Sequence, residues 1–380
     1  MTRYLLFMAA ASILSGCSGL RIDQQFHAAE TDWPSFGRTP QRTNLAADTL
    51  VPPLTLAWEQ DITGGIGRGA VLAVDSLVIA GNLRGELYVI NMNSGKRLGW
   101  VDLGEAIEGA PVIDGSVAVV ACANTRESLV AYDLEEGRAL WKKQCGDIEV
   151  SPVLRNGRVF VGNVEGVFRA IDRTSGDEIW KFTIPDNTKL KGIRSSPATD
   201  DSTVVFGADD GMVYALNAAN GALRWKTALH DVVSGSPAIA GTAVFIGDYA
   251  GWMTCLDLNS GKVLWSRDLR AAIYANPAVD RDRVIIGTTG GTLFALARNN
   301  GSVVWEQHLE GVINAGAVIS GSTVYVGTLR KKLVALDIAT GTVTWSYETS
   351  GRIKTSPSIT RGRLFVATDD RLILAFTPSL

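Results

Sequence analysis

The 380 residues carry 36 basic and 39 acidic side chains, a formal net charge of −3, and 46% of them are hydrophobic. That balance describes a globular chain with enough apolar matter for a large core, and it excludes the concentrated basic face that nucleic acid requires. Four cysteines with no C-x-x-C spacing, and three scattered histidines at His27, His230 and His308, exclude zinc ribbons, c-type haem and a histidine-built metal site.

Residues 1–16 read as a signal peptide: Arg3 supplies the charge, Leu5 to Leu14 an apolar run too short to remain in a bilayer, and small residues follow. Leu14-Ser15-Gly16-Cys17 closely resembles the bacterial lipobox, which implies cleavage before Cys17 and acylation of that cysteine. Likeness to other lipoproteins implies outer-membrane sorting, because Ser18 and not Asp follows the cysteine. Two or more acyl chains anchor durably, since each buried CH2 contributes about 0.8 kcal/mol. Residues 17–53 are then a lipidated tether and lead-in. Ser18 to Thr31 is polar and aperiodic, Asp32-Trp33-Pro34-Ser35-Phe36-Gly37 starts an ordered entry, and Val51-Pro52-Pro53 stiffens it.

From residue 54 onward a repeat governs the chain. Thr254 to Trp265, TCLDLNSGKVLW, has copies at Arg169 to Trp180, Tyr214 to Trp225, Phe294 to Trp305 and Val334 to Trp345. A weaker copy ends at Trp141, and one with an extra residue between Gly95 and Trp100 comes first. With Trp58 included, successive tryptophans are 42, 41, 39, 45, 40, 40 and 40 residues apart. A period near 40 with several short apolar runs per copy signals four-stranded propeller blades. Helical repeats would need apolar residues at i, i+3, i+4 and i+7, whereas Val204 to Asn217 is dense in β-branched and aromatic residues and broken by Gly.

Each copy parses into four strands, best seen after Ser236: Ser236 to Ile239, Ala243 to Gly247, Trp252 to Asp257 and Lys262 to Asp268. The inner-strand dipeptide recurs at Ala110-Pro111, Ser151-Pro152, Ser196-Pro197, Ser236-Pro237, Asn276-Pro277 and Ser356-Pro357, with Gly69-Ala70 and Gly316-Ala317 as copies lacking Pro. Eight blades result, an all-β propeller over residues 54–380. The repeated Trp is expected to wedge between neighbouring blades. After Trp345 only three strands remain, and Leu54 to Asp61 is a lone outer strand with no blade before it. Pairing of the two would complete the eighth blade and leave no open sheet edge.

Cys122 and Cys145 fall in one blade. A bridge between them stays open, although two strand spacings of about 10 Å exceed the ~7 Å Cα limit. Cys255 replaces Ala in a third strand and reads as a buried apolar residue.

The repeats resemble the pyrroloquinoline-quinone (PQQ) type of propeller, and Asp32-Trp33, Gly37 and Leu56 to Trp58 resemble the opening of quinoprotein alcohol dehydrogenases. That resemblance implies a PQQ-dependent dehydrogenase as the alternative function, and a propeller binding polysaccharide or another small ligand is a further alternative. In those enzymes the quinone lies over the axis between a Trp and a disulfide of adjacent cysteines, with calcium held by Glu, Asn and Asp. Here no two cysteines are adjacent, and the doublets Asp209-Asp210 and Asp369-Asp370 read as turn formers.

Short blades, eight copies and the lipobox together resemble the BamB family of outer-membrane assembly lipoproteins. The resemblance implies a non-enzymatic, membrane-tethered scaffold with no cofactor, which binds a POTRA domain of BamA in the periplasm. The longest interval, Trp180 to Trp225, contains the linker Thr183 to Arg194, where Leu190-Lys191-Gly192 resembles the second half of that family's Leu-x-Leu-Arg-Gly contact segment. Lys191 stands in place of Arg and Thr188 where the first Leu would fall. Lys189, Leu190, Lys191, Ile193 and Arg194, with Asp231 of the next linker Leu229 to Gly235, are the candidate partner-binding residues. Both linkers should emerge on one rim, because every fourth strand of a propeller ends on the same face.

Overall fold

The computed structural model describes residues 19–379 apart from 24, 25, 28, 70, 124, 125, 186 and 187. The signal peptide and Cys17 lie outside the described residues, as does Ala70 of the first inner-strand copy. Among the described residues every regular element is a strand, and the strands form eight four-stranded antiparallel sheets. Blades 1 to 7 span residues 72–102, 112–143, 153–183, 198–228, 238–268, 278–308 and 318–348.

Blade 8 closes the ring. Its inner three strands are Ser358–Thr360, Arg363–Ala367 and Leu372–Pro378, and the fourth is Leu54–Asp61 from the other end of the chain. The two ends pair from Leu54 opposite Pro378 to Asp61 opposite Leu372. This is the predicted closure, and it removes the one sheet edge that an eightfold ring cut at a blade would expose.

Burial follows strand position. In blade 4 the second strand Thr203–Gly207 is buried throughout, whereas the outer strand Leu223–Ala228 alternates, with Trp225 inward and Leu223, Arg224 and Lys226 exposed. The middle strands are covered on both faces by neighbouring blades, which is why they read as continuous apolar runs.

The predicted Trp wedge is present at six junctions. Each indole N–H donates to a carbonyl of the next blade: Trp58 to Met92, Trp141 to Arg173, Trp180 to Ala218, Trp225 to Leu258, Trp265 to Arg298 and Trp305 to Ile338, at 2.8–3.2 Å. Under each ring lies the Gly of that blade's last turn. A Cβ at Gly176 would sit 2.6 Å from the Trp141 indole, and its φ of +72° independently favours Gly. Trp345 faces the chain break of blade 8, and packs on Tyr347 and Phe376 instead.

Trp100 departs from its expected role. Strand pairing places Gly99 opposite Val89, the slot where the other blades carry Trp opposite Ala, and moves Trp100 opposite Tyr88, on which it stacks at 6.3 Å. The vacated space is filled by Leu20: a Cβ on Gly99 would lie 2.7 Å from its Cδ1. Leu20 and Ile22 are buried there, held by Tyr132 Oη to Leu20 O at 2.8 Å and Ile22 N to Leu134 O at 2.7 Å. Leu20 and Ile22 of the expected tether are therefore docked on the junction of blades 1 and 2.

The lead-in is likewise part of the fold rather than a preface to residue 54. Carbonyls of Pro34, Pro40, Gln41, Thr43 and Asn44 accept the inner-strand N–H groups of Ile113, Thr199, Ile239, Val279 and Ile319 at 2.8–3.0 Å. Trp33 and Ala73 exchange a reciprocal pair at 2.7 and 3.1 Å. Arg42 reaches Ser151 and Pro152 of blade 3, while Asp48 and Asp32 accept from Gly362 and Arg361 of blade 8. All eight blades thus bond residues 32–48. The innermost strands of a propeller face the axis with unpaired N–H groups, and this segment satisfies them where no further strand could fit.

The three cysteines of the described residues are free and buried, so the Cys122–Cys145 bridge does not form. Cys122 N and Cys145 N both bond Ser128, at its carbonyl and its hydroxyl, and the two thiols point into different interblade clusters. Burial pushes the Cys122 and Cys255 thiols up to about 12, in keeping with Cys255 as a small apolar core residue.

Candidate functional site

Two kinds of connection meet on one rim: the linkers into each blade and the turns between second and third strands. Backbone bonds stitch them, including Val164 N to Asp147 O, Asp209 N to Gly192 O, Tyr249 N to Val232 O and Asp369 N to Arg352 O, at 2.9–3.0 Å. Asp209 N bonds Gly192 O on one side while Val233 N bonds Ala208 O at 3.1 Å on the other. The two candidate linkers therefore flank the same blade 4 turn, on one rim as expected.

The six candidate residues divide on that rim. Leu190, at 60% exposure, is the most exposed large hydrophobic side chain among the described residues, and its neighbour Lys189 and Asp231 of the next linker are also exposed. Lys191 is half-buried, its backbone packed over Gly166, where an added Cβ would meet its carbonyl at 2.6 Å. Ile193 is a correction: it is fully buried, its N–H bonds Asn163 O at 3.0 Å, and its side chain covers Gly162. It belongs to the core between blades 3 and 4 and cannot form an exposed apolar pair with Leu190. Arg194 remains part-exposed but is committed within the chain, its guanidinium bonding Glu149 at 3.1 Å and Asp209.

Arg194 leads inward to a cavity of about 520 Å3 on the propeller axis. Its wall comes from the residues that follow the repeated Ile or Val of each linker, among them Glu108, Glu149, Ser234, Tyr274, Asn314 and Lys354. Beneath them Ser151, Ser196 and Ser236 hand hydrogen bonds around the hub: Ala110 N, Ser151 N and Ser196 N donate to the next hydroxyl at 2.8, 3.0 and 3.0 Å. Phe36 of the lead-in lines the cavity from the hub side.

Arg194, Glu149 and Lys354 at the mouth are engaged in ion pairs. Arg194 answers Glu149 and Asp209, and Lys354 lies 3.6 Å from Asp369, which also holds Arg352 at 2.5 Å. Burial, then the neighbouring Glu149, pushes the Glu108 carboxyl above its usual range. Of the acidic doublets, Asp210 acts in its turn, accepting Met212 N at 3.0 Å and Tyr214 Oη at 2.6 Å, whereas Asp209 and Asp369 pair with Arg194 and Arg352. Among the described residues no group of three or more His, Cys, Asp or Glu side chains could hold a metal ion.

Sequence reasoning missed the cavity lining. The signal was available, since seven linkers repeat Ile or Val just before one position that varies freely, from Glu108 to Tyr274 to Lys354.

A family model described as outer membrane protein assembly factor BamB matches residues 54–164, 164–311 and 290–379. The chain belongs to the BamB family. Among curated proteins, BamB of Yersinia pestis is 24% identical over 253 residues, covering 61% of this chain and 59% of that protein. BamB of Escherichia coli K12 is 24% identical over 173 residues, covering 42% of each. The chain therefore spans less than two thirds of these BamB relatives' length. The quinone alcohol dehydrogenase subunit of Gluconobacter oxydans is 25% identical over 213 residues, 51% of this chain and 24% of that protein. Among solved structures, BamB of Moraxella catarrhalis has a TM-score of 0.73 at 22% identity, covering 86% of this chain and all of that one. A quinohemoprotein alcohol dehydrogenase of Pseudomonas putida has a TM-score of 0.80 at 14% identity, covering 95% and 83%. At such identities the likeness to these structures shows the ring alone.

Proposed function

We propose that this BamB-family chain is a non-enzymatic scaffold in outer-membrane protein assembly, lipid-anchored through Cys17 at the periplasmic face of the outer membrane. Its rim between blades 3 and 5 binds a partner protein, and by family likeness that partner is a POTRA domain of BamA. The observation that carries this reading is Leu190: a large apolar side chain held out at 60% exposure beside Lys189, with Asp231 across the blade 4 turn. A central apolar anchor with charges around it is the form in which protein interfaces concentrate their binding energy. Ile193 supports the anchor from within by fixing the linker, and Arg194 does so through Glu149 and Asp209.

A photo-reactive residue at position 190 should cross-link BamA in cells, and one at Val343 on the outer strand of blade 7 should not. Recovery of a different protein at 190, with BamA absent, would end this assignment.

The dehydrogenase reading has the shared ring and the Gluconobacter relative in its favour. The residues present do not fit the group it requires. The three cysteines are buried away from one another's reach, and the carboxylates Glu149 and Asp209 are committed to Arg194. Purified protein given PQQ and calcium should leave a redox dye oxidised in the presence of alcohols; dye reduction would restore the enzyme.

A further inference from the structure

We propose that the axial cavity is a binding site for a neutral carbohydrate of one or two rings, a site separate from the partner rim. The argument begins with an unmet hydrogen bond. Asn276 is only 4% exposed, its Oδ1 lies 3.4 Å from Ser356 Oγ, and its Nδ2 has no partner. Turning the amide over would leave the other atom in the same state, so one end of a buried amide meets nothing in either orientation. On the next blade the Asn314 Oδ1 is equally without a partner. The two side chains line one cavity and offer it an unused donor and an unused acceptor.

The hydroxyls extend that pattern. Ser151, Ser196 and Ser236 each accept a backbone N–H, and among the described residues none is paired with an acceptor for its own proton. The floor of the cavity is thus an arc of donors beside an acceptor, all on rigid strand ends. A buried polar group left unpaired is costly, so the arrangement favours any guest that completes it.

Three further features select the guest. The volume of about 520 Å3 is that of a small-molecule site. Aromatic faces border it: Tyr249 and Tyr274 stand edge to face at 4.4 Å, with Tyr249 fixed by Ser234 Oγ at 2.7 Å, and Phe36 lies on the hub side. Rings of this kind cover the C–H face of a sugar. Charge decides against ions: Arg194 and Lys354 are answered by Glu149, Asp209 and Asp369, and Arg68 lines the same mouth as Glu108. A guest that both donates and accepts at many points, has an apolar face and carries no net charge is a sugar ring.

The test uses the full mature chain, titrated calorimetrically with maltose, cellobiose and N-acetylglucosamine, and with citrate as the anionic probe. At least one neutral sugar should saturate a single site, with affinity unchanged between low and high salt. Asn276→Ala should weaken it about tenfold, the worth of one well-made hydrogen bond. Tyr274→Ala at the cavity wall should weaken it comparably, and Tyr274→Phe should not, since the ring remains. If Asn276→Ala fails to fold, the Tyr274 pair decides alone. Saturation by none of the sugars, tighter binding of citrate than of any sugar, or full affinity in Tyr274→Ala would each overturn the proposal. Cross-linking at position 190 should be unchanged in every cavity variant, so failure here leaves the partner reading intact.

Discussion

Arg42 brings a guanidinium to the centre of the ring and pairs it with carbonyls alone. It is fully buried, donates to Phe36 O at 2.8 Å, Ser151 O at 2.9 Å, Pro152 O at 3.2 Å and Pro197 O, and stands 5.0 Å over the Phe36 ring. Burial lowers its pKa to about 9, which still leaves it charged at neutral pH. A planar fork with donors in several directions suits that cage; a Lys point charge does not. Arg42→Ala should reduce unfolding stability by about 3 kcal/mol or more, since several buried carbonyls lose a charged donor at once. Arg42→Lys should recover only part of it, read from the urea midpoint. The residue scale also shows where a sequence is legible. The repeated Trp could be assigned to the blade junctions because its spacing is regular and an indole has few other uses there. Trp100 defeated the same rule: one inserted residue puts Gly99 in the slot, and nothing nearby in sequence announces that Leu20 fills it. Ile193 and Leu190 look alike in isolation, and only comparison with Ile107, Ile148 and Ile273, all buried, tells the core residue from the exposed one.

At the scale of the element, the closing strand was readable by counting. Seven complete blades left three strands at one end and one at the other, and antiparallel pairing admits only one way to join them. The hub was not readable in that way, because residues 32–48 form no ladder. They make isolated bridges and single carbonyl bonds to successive blades, which leave no period in the sequence. A chain beginning at Leu54 retains every strand yet loses these bonds, and should behave as a loosened ring: lower thermal midpoint, rapid proteolysis at the inner strands, and a flattened near-ultraviolet spectrum. An intact midpoint in that variant would show that the blades hold the hub without the segment. The last turns of the blades are a second shared device. Asp172, Asp257 and Asp337 accept hydrogen bonds from the Ser, Thr and backbone N–H groups that follow them, and these bonds hold the carboxyls below their ordinary 3.8.

For the whole molecule those turns set an acid limit. A carboxyl whose folded pKa lies below its unfolded value stabilises the fold above the unfolded value and loses that contribution as pH falls through the folded one. Stability should therefore hold from neutrality down to about pH 4 and decline below it, a window given by the ordinary carboxylate range. Replacing the three aspartates by Asn should flatten the decline in an acid titration followed by circular dichroism. The rim and the cavity share one face of the molecule, so a partner seated on Leu190 and a guest on the axis would be neighbours.

The threaded segment also fixes the order of events during folding. Asp32 is joined to Arg361 across 329 residues, so the segment finds its last partner only once blade 8 has formed. Contacts of such long sequence separation slow the search for the native state. Once the segment is seated, no blade can depart without breaking its bond to the common thread. A protein assembled in this manner should form slowly and come apart more slowly still.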